Sequence, residues 1–458
     1  MEKYKHSILF GMRLLFFLLL ITIFYIGWQI GYSEATFFYA GNYLVIAAYA
    51  LVVMMFMIIY GGWRVGEQRL INLIYSGILS LIFANGLMYL ILCLIAREML
   101  PFGEIFAILL AQVLLCILGN FLMNRAYFSL RKVRQVAVIY GGYPEDMQTI
   151  DKMNAFEERF HVACIIDSTE SFAVICETLQ SYESVLLCHM NEEKRNRLFN
   201  YCYRENKRIN VIPDPMDIVL HRALHTQIMD VPILFCRKTK LKSEQKLTKR
   251  IMDILLVSIG ILLTSPLFLL AALCIKLEDG GPVFFRQTRL TENGRAFSVL
   301  KFRSMSIDAE KNGAMMAEKG DSRITKTGRI LRAMRIDELP QFFNILHGDM
   351  SFVGPRPERP EFYEAFCRDL PEFSLRLNVK AGLTGYAQIY GRYNTTPKNK
   401  LNLDLFYIES YSLLLDLRLI FSTIKILFMK ESTDGFDSTF NQKHSKEEIS
   451  QHESKNNR

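Results

Sequence analysis

Four long apolar runs open the chain, and short polar loops separate them. They cover roughly residues 8–30, 42–62, 70–95 and 104–123. A helix needs about 20 apolar residues to cross a hydrocarbon layer of about 30 Å, so each run is long enough to span a bilayer. The pattern predicts a bundle of four transmembrane helices over residues 1–124.

The loops between these runs differ in their content of basic residues. Basic side chains precede the first run, separate the second from the third and follow the fourth: Lys3, Lys5, Arg64, Arg69, Arg125, Arg131, Lys132 and Arg134. The other two loops contain a single arginine between them. Because lysine and arginine concentrate in cytoplasmic loops, we predict that the N-terminus and everything after residue 124 lie in the cytoplasm.

Between residues 125 and 240 the pattern changes to short apolar runs separated by polar stretches. RQVAVIYGG, HVACIIDS, SVLLCHM and KRINVIPDP are typical of strands, and NEEKRNRLFNYCYREN is typical of a helix. This alternation predicts a parallel sheet in a cytoplasmic α/β domain. The first strand ends in Gly141-Gly142, which lacks the GxGxxG pattern of dinucleotide-binding domains. We therefore interpret the domain as Rossmann-like but degenerate, and favour a regulatory or structural role over nucleotide binding.

A fifth apolar segment, residues 251–275, differs from the first four in two respects. Basic residues flank it on both sides, which is typical of a segment whose two ends lie in the cytoplasm. Ser265-Pro266 interrupts it near the middle, where proline removes a backbone hydrogen bond and clashes with the preceding turn. A full crossing is the ordinary expectation for such a run, but these features predict a re-entrant helix that enters one leaflet, bends and returns.

Two further segments complete the pattern. Residues 402–429, NLDLFYIESYSLLLDLRLIFSTIKILFM, are apolar and aromatic, which is compatible with a pair of interfacial helices lying on the bilayer. Residues 431–458 are polar and charged and have little to bury, so we predict a disordered tail.

The charge balance adds little to this picture. Lys and Arg number 54 against 46 Asp and Glu, which gives a formal net charge of +8. Cytoplasmic loops and contact with anionic head groups account for such an excess in a membrane protein. Since no basic motif interleaved with aromatic residues accompanies it, we predict membrane lipid as a partner and exclude nucleic acid.

The strongest candidate for chemistry is the acid pair Asp337 and Glu338, which stands shortly before Pro340. Proline is tolerated in the first turn of a helix, so a helix is predicted to begin close to the pair, with its dipole favouring the ionised carboxylates. An ionised aspartate can attack phosphorus, and a neighbouring carboxylate can hold Mg²⁺. Ordinary helix capping would explain one acid, but not the surrounding cations: Lys301, Arg303, Arg323, Arg329, Arg332, Arg335 and Arg356. Of these, Arg356 lies between two prolines, which suits phosphate binding.

Four stretches follow one another in a characteristic order: GPVFFRQTRLTENGRAFSVLKFRSM, DSRITKTGRILRAMRIDELPQFFNILHGDMSFVGPRPE, GLTGYAQIYGR and LDLFYIESYS. Together they resemble the bacterial sugar transferase family, the monotopic phosphoglycosyl transferases, also called polyprenyl-phosphate hexose-1-phosphate transferases. The resemblance covers about residues 245–430. The N-terminal parts are similar to the long form of that family, such as undecaprenyl-phosphate glucose- or galactose-phosphotransferases.

The resemblance implies a mainly α catalytic domain whose membrane helix breaks at Ser265-Pro266. It implies transfer of a hexose 1-phosphate from a UDP-sugar to undecaprenyl phosphate with release of UMP, the first membrane step of exopolysaccharide, capsule or O-antigen synthesis. Asp337 would form a covalent phosphosugar intermediate, and Glu338 would bind Mg²⁺. The candidate substrate-binding residues are Lys301, Arg303, Arg332, Arg356 and Gln341.

The family's location would place the protein in the bacterial cytoplasmic membrane, with the catalytic domain on the cytoplasmic face. A homodimer is one hypothesis for its assembly. Departures from the family pattern are small: Arg335 adds a charge before the acid pair, and Ala381 replaces a common proline. The alternative hypothesis is a catalytically inactive membrane scaffold or regulator of polysaccharide assembly.

Overall fold

The chain divides into two compact units, Met1–Pro213 and Asp214–Arg458. The computed structural model describes residues 5–32, 41–130, 133–154, 159–236, 240–306, 321–391 and 395–427. The predicted tail, 431–458, lies outside the described residues. The division after Pro213 assigns the end of the predicted middle domain, up to residue 240, to the second unit.

Four long helices begin the first unit: α1 (Lys5–Gly31), α2 (Gly41–Tyr60), α3 (Leu70–Ala96) and α4 (Phe102–Leu130). Each is long and apolar enough to cross a membrane. The predicted N-terminal bundle of apolar helices is therefore confirmed, although the fourth helix continues past residue 124 to Leu130.

A buried polar network ties these four helices together. The side-chain amide nitrogen of Gln112 on α4 donates to the Leu20 carbonyl of α1 at 2.9 Å. Its oxygen accepts from Tyr49 of α2 at 3.0 Å and from Asn85 of α3 at 2.8 Å. Since a polar group in an apolar environment must find its partner inside the protein, one glutamine fixes the alignment of all four helices.

The rest of the first unit is an α/β layer. Its strands are β1 (Arg134–Tyr140), β2 (Phe160–Asp167), β3 (Ser184–Leu187) and β4 (Arg208–Val211), and its helices are α5 (Pro144–Asn154), α6 (Phe172–Gln180) and α7 (Glu192–Arg204). The sheet has the order β2-β1-β3-β4, and each neighbouring pair is parallel. The central strand β1 is buried on both faces, as parallel sheets covered by helices require. The predicted parallel sheet is confirmed.

The second unit is mainly helical. Its helices are α8 (Pro215–His221), α9 (Ser243–Asp279), α10 (Lys326–Ala333), α11 (Gln341–His347), α12 (Pro360–Asp369), α13 (Tyr386–Tyr390), α14 (Pro397–Glu409) and α15 (Leu413–Leu427). Within the part of this unit that the structure describes, three strand pairs accompany them, formed by β5 (Leu224–Ile228), β6 (Val231–Phe235), β7 (Phe284–Leu290), β8 (Ala296–Phe302), β9 (Ser351–Val353) and β10 (Gly382–Thr384). The pairs β5–β6 and β7–β8 are antiparallel, and β9–β10 is parallel.

The predicted helix pair over residues 402–429 corresponds to α14 and α15, but its surroundings differ from the expectation. Leu401, Leu405, Tyr407 and Ile408 of α14 are buried in a core that includes Leu419 of α15. Both helices contribute to the interior of the second unit. Apolar helices of this kind pack into a protein core as readily as they lie on a bilayer surface. The composition of residues 402–429 alone could therefore not distinguish these two locations.

Helix α9 runs without interruption through Pro266. Proline cannot donate the backbone hydrogen bond that the carbonyl of Leu262, four residues earlier, would accept. The hydroxyl of Ser265 donates to that carbonyl instead, at 2.9 Å. The Ser-Pro pair thus allows the helix to continue where proline alone would leave that carbonyl without its helical donor.

Both ends of α9 are attached to the same unit. At its start, the Arg250 guanidinium donates to the Leu346 carbonyl at 2.7 Å, and the Asp253 carboxylate accepts from the backbone N–H of Phe352 at 2.9 Å. At its end, Asp279 pairs with Arg303. Apolar side chains between these ends are exposed, including Leu262, Leu263, Leu269, Leu270 and Leu273.

A buried ion pair fixes the start of α9. Lys249 Nζ lies 2.5 Å from Asp416 Oδ2, and both side chains are at least nine-tenths buried. We expect Lys249→Met to lower the free energy of unfolding by about 3–5 kcal/mol, because it leaves the Asp416 charge buried without its counter-ion. The midpoint of thermal unfolding in detergent measures this loss.

Lys246→Met is the matched control, since Lys246 on the same helix pairs with Glu292 while its own side chain is 46% exposed. An exposed pair contributes at most about 1 kcal/mol. Equal shifts of the unfolding midpoint in the two variants would contradict the assignment of the Lys249–Asp416 pair as a buried anchor.

Candidate active site

The acid pair lies in a short connection between two helices. A single 3-10 turn, Ile336–Glu338, follows α10 and precedes α11, which begins at Gln341 with Pro340 as its cap. Arg335, at the entrance to the turn, adopts the left-handed conformation with φ 54°. A helix does begin close to the acids, as predicted, but the turn separates both carboxylates from its first residue.

Three cations from separate parts of the chain converge on Glu338. Lys301 at the end of β8 places Nζ 3.0 Å from Glu338 Oε1. The Arg356 guanidinium, from the loop after β9, lies 3.4 Å from the same oxygen, and that of Arg335 lies 3.9 Å from Oε2. The site is therefore a carboxylate pair bordered by positive charge, which suits an anionic ligand.

The pKa values of the two carboxyl groups are shifted in opposite directions. Burial, followed by the charge of neighbouring Glu338, raises the pKa of Asp337 to about 6, against the opposing effect of Lys301, Arg332 and Arg356. Burial would also raise the pKa of Glu338, but Lys301, Arg356 and Arg335 outweigh it and hold that pKa well below its usual range. The expectation that a helix dipole favours ionised Asp337 was wrong in direction, because desolvation dominates when a carboxyl is buried.

The other predicted residues occupy different places. Arg332 donates from Nε to Ser304 Oγ at 2.8 Å, and its charge acts on Asp337. Gln341 is buried in the first turn of α11. Arg303 is buried and pairs with Asp279 at the end of the apolar helix α9. The structure thus brings Lys301, Arg332 and Arg356 around the acid pair, while the guanidinium of Arg303 binds the end of the apolar helix α9.

A cluster of four charged side chains, which was not predicted from the sequence, contacts the Pro-Arg-Pro loop. It consists of Glu358, Arg376, Lys400 and Asp404. Glu358 directly follows the loop in sequence, whereas its partners are 18 and 42 residues further along the chain. Residues so far apart in sequence form no local pattern, so the cluster could not be read from the sequence. The acidic residue Glu358 next to the loop was the one signal that a cation should lie near.

The acid pair can be tested for its fit to Mg²⁺. Among the residues that the structure describes, no group of three or more His, Cys, Asp or Glu side chains is arranged to enclose an ion. Mg²⁺ usually takes one or two carboxylates and completes its shell with substrate phosphates and water. Glu338 could supply one such carboxylate, and substrate phosphates and water would complete the shell.

Comparisons with known proteins identify a family whose model covers the acid pair. A family model described as Bacterial sugar transferase matches residues 244–430. Over 182 residues the chain is 46% identical to the UDP-N-acetylgalactosamine-undecaprenyl-phosphate N-acetylgalactosaminephosphotransferase of Aeromonas hydrophila, covering 39% of this chain and 43% of the relative. Over 191 residues it is 40% identical to the UDP-glucose:undecaprenyl-phosphate glucose-1-phosphate transferase of Caulobacter vibrioides, covering 41% and 72%.

A third relative extends the similarity toward the N-terminus. The chain is 31% identical over 327 residues to the undecaprenyl-phosphate glucose phosphotransferase of Komagataeibacter xylinus, which covers 67% of this chain and 61% of that protein. The matches thus span between 43% and 72% of these three relatives. The resemblance read from the motifs is confirmed, and the chain belongs to the bacterial sugar transferase family.

Proposed function

We propose that this protein transfers a hexose 1-phosphate from a UDP-sugar to undecaprenyl phosphate and releases UMP. The observation that carries the proposal is the convergence of Lys301, Arg335 and Arg356 on Glu338, directly beside buried Asp337. Donor and acceptor are both phosphate anions, so their reaction needs fixed positive charge. The names of the Aeromonas and Caulobacter relatives describe phosphotransfer to undecaprenyl phosphate with different sugars.

In the first half-reaction, an Asp337 carboxylate oxygen attacks the phosphorus attached to the sugar. A bond forms between that oxygen and phosphorus, and the bond from phosphorus to the bridging diphosphate oxygen breaks, so that UMP leaves with the electron pair. At neutral pH a carboxyl with a pKa of about 6 is mostly ionised. Because burial removes water from Asp337, the charge of its carboxylate is less stabilised by hydration than that of an exposed carboxylate.

In the second half-reaction, a phosphate oxygen of undecaprenyl phosphate attacks the same phosphorus and releases the Asp337 carboxylate. Lys301 and Arg356 would balance the charge of the phosphates in both steps, and Arg332 adds its charge near Asp337. Glu338, together with phosphate oxygens of the substrate, would hold Mg²⁺, which when bound supplies further positive charge to the diphosphate. Two successive displacements let the two anionic substrates react in turn.

The apolar helix α9 suits this chemistry at a membrane surface. We propose that it enters one leaflet without crossing the bilayer, on the cytoplasmic face of the inner membrane. Arg250 and Asp253 at its start and Asp279 at its end all bind the same unit, while the leucines between them are exposed. A full crossing would place these two ends on opposite faces of the bilayer, whereas both of them bind one unit.

The proposal is tested with the full chain purified in detergent. We expect UMP release with at least one UDP-sugar in the presence of undecaprenyl phosphate and Mg²⁺, and loss of release when a chelator removes the metal. A panel containing UDP-glucose, UDP-galactose and their N-acetylated counterparts identifies the sugar. Failure with every donor would favour the inactive scaffold.

The pH dependence of the first half-reaction follows from Asp337. Because burial and Glu338 raise the pKa of Asp337 to about 6, the attacking carboxylate is protonated below that pH. We expect single-turnover UMP release to fall about tenfold per pH unit below pH 6 and to level off above it. A rate that stays constant down to pH 4 would contradict the assignment of Asp337 as the group that must be ionised.

A further inference from the structure

Every carbonyl of the Pro-Arg-Pro loop accepts a hydrogen bond, and so does that of Glu358, the next residue. Pro355 accepts from the backbone N–H of Gly382 at 2.9 Å, Arg356 from Arg376 at 3.0 Å, Pro357 from Arg289 at 3.2 Å and Glu358 from the backbone N–H of Leu290 at 3.0 Å. Two of these four donors are arginine side chains. The loop therefore depends on distant side chains for its position, as well as on its own prolines.

Arg376 stands at the centre of this support. Its side chain is 1% exposed, and its guanidinium lies 2.8 Å from Asp404 and 3.3 Å from Glu358 while it also donates to the Arg356 carbonyl. The Lys400 ammonium pairs with Glu358 from another side. Two cations and two anions thus form a neutral cluster beneath the loop.

Burial of so many charges calls for an explanation other than stability. Replacing buried ion pairs by apolar side chains is often neutral or stabilising, so such a cluster is weak evidence for a stabilising role. A planar guanidinium, however, presents several donors in a fixed geometry and can fix several acceptors relative to one another. Here the acceptors include the backbone of the residue whose side chain reaches Glu338.

We infer that Arg376 is a positioning residue that sets the location of Arg356 relative to Glu338, an inference that rests on the proposed function for its catalytic consequence. The Arg356 side chain is 43% exposed and its guanidinium lies 3.4 Å from Glu338 Oε1, so a shift of its backbone would change its distance from that oxygen. Displacement of a positioned group by about 1 Å can lower a rate about 100-fold. Asp404 and Glu358 in turn orient Arg376.

Arg376→Lys tests this role because it keeps the charge but cannot reach three acceptors at once. We expect UMP release to fall about 10–100-fold. In an Arg356→Ala background the same substitution should change the rate less than about threefold, because residues that act through one another have non-additive effects. Arg368→Lys, an exposed position on α12, is the matched control and should leave the rate unchanged.

A readout independent of activity separates this inference from the proposed function. Hydrogen exchange of the peptide that contains Gly354, Arg356 and Glu358 should become faster in Arg376→Lys and stay unchanged in Arg368→Lys. Should Arg376→Lys fail to fold, Asp404→Asn removes the 2.8 Å charged contact with little change of volume, and the same acceleration is expected. The inference would be overturned if the two substitutions lowered the rate multiplicatively in the double variant, or if hydrogen exchange of the loop were the same in Arg376→Lys as in the wild type. A wild-type chain that is inactive with every donor would overturn only the proposed function.

Discussion

Replacing Asp337 with asparagine is expected to abolish UMP release, with a loss of at least about 10³-fold. Asparagine has nearly the same shape but has no anionic oxygen that could attack phosphorus. The buried position of Asp337 should tolerate a neutral amide, since burial already disfavours its charge. Steady-state UMP release by the full chain in detergent measures the loss.

Intact-mass measurement gives a second view of the same substitution. Incubation with a UDP-sugar and no acceptor should add the mass of one sugar phosphate to the wild-type chain and nothing to Asp337→Asn. Asp369→Asn, an exposed carboxylate at the end of α12, is the matched control and should retain both the rate and the adduct. Persistent UMP release in Asp337→Asn would show that another group attacks phosphorus.

Glu338→Gln is expected to have the second largest effect, a fall of about 10²-fold in UMP release. The substitution removes the negative charge toward which Lys301, Arg335 and Arg356 point. It also removes a carboxylate that suits Mg²⁺, so the concentration of Mg²⁺ needed for half-maximal rate should rise. Titration with MgCl₂ measures this change.

The pH profile of Glu338→Gln distinguishes an electrostatic role from loss of structure. The negative charge of Glu338 contributes to the raised pKa of Asp337, so an uncharged glutamine should lower that pKa. The acid limb of the residual activity should move to lower pH than in the wild type. Glu361→Gln, at an exposed position of α12, is the matched control and should leave the acid limb of the pH profile unchanged. An acid limb that does not shift in Glu338→Gln would refute the proposed coupling between the two carboxyl groups.

Local patterns determined much of the architecture. The four N-terminal helices followed from the length of their apolar runs, because a membrane span is set by the number of consecutive apolar residues. The parallel sheet followed from short apolar strands separated by polar helices. The motif around Asp337, with the order of its neighbouring stretches, was enough to identify the family. Each of these features depends on residues close together in sequence.

Contacts between distant residues decided the rest. Lys301 meets Glu338 across 37 positions, and Arg303, two residues further along, pairs instead with Asp279 on the apolar helix. The continuity of α9 through Pro266 depended on where the Ser265 hydroxyl points.

The sequence by itself determined which groups could do the chemistry, because the kinds of residue and their short-range spacing are local properties. Tertiary structure decided their state: it buried Asp337, which raises its pKa, and it placed Arg376 beneath Arg356. Burial and long-range charge pairs arise only when remote segments pack together, and no local pattern encodes them.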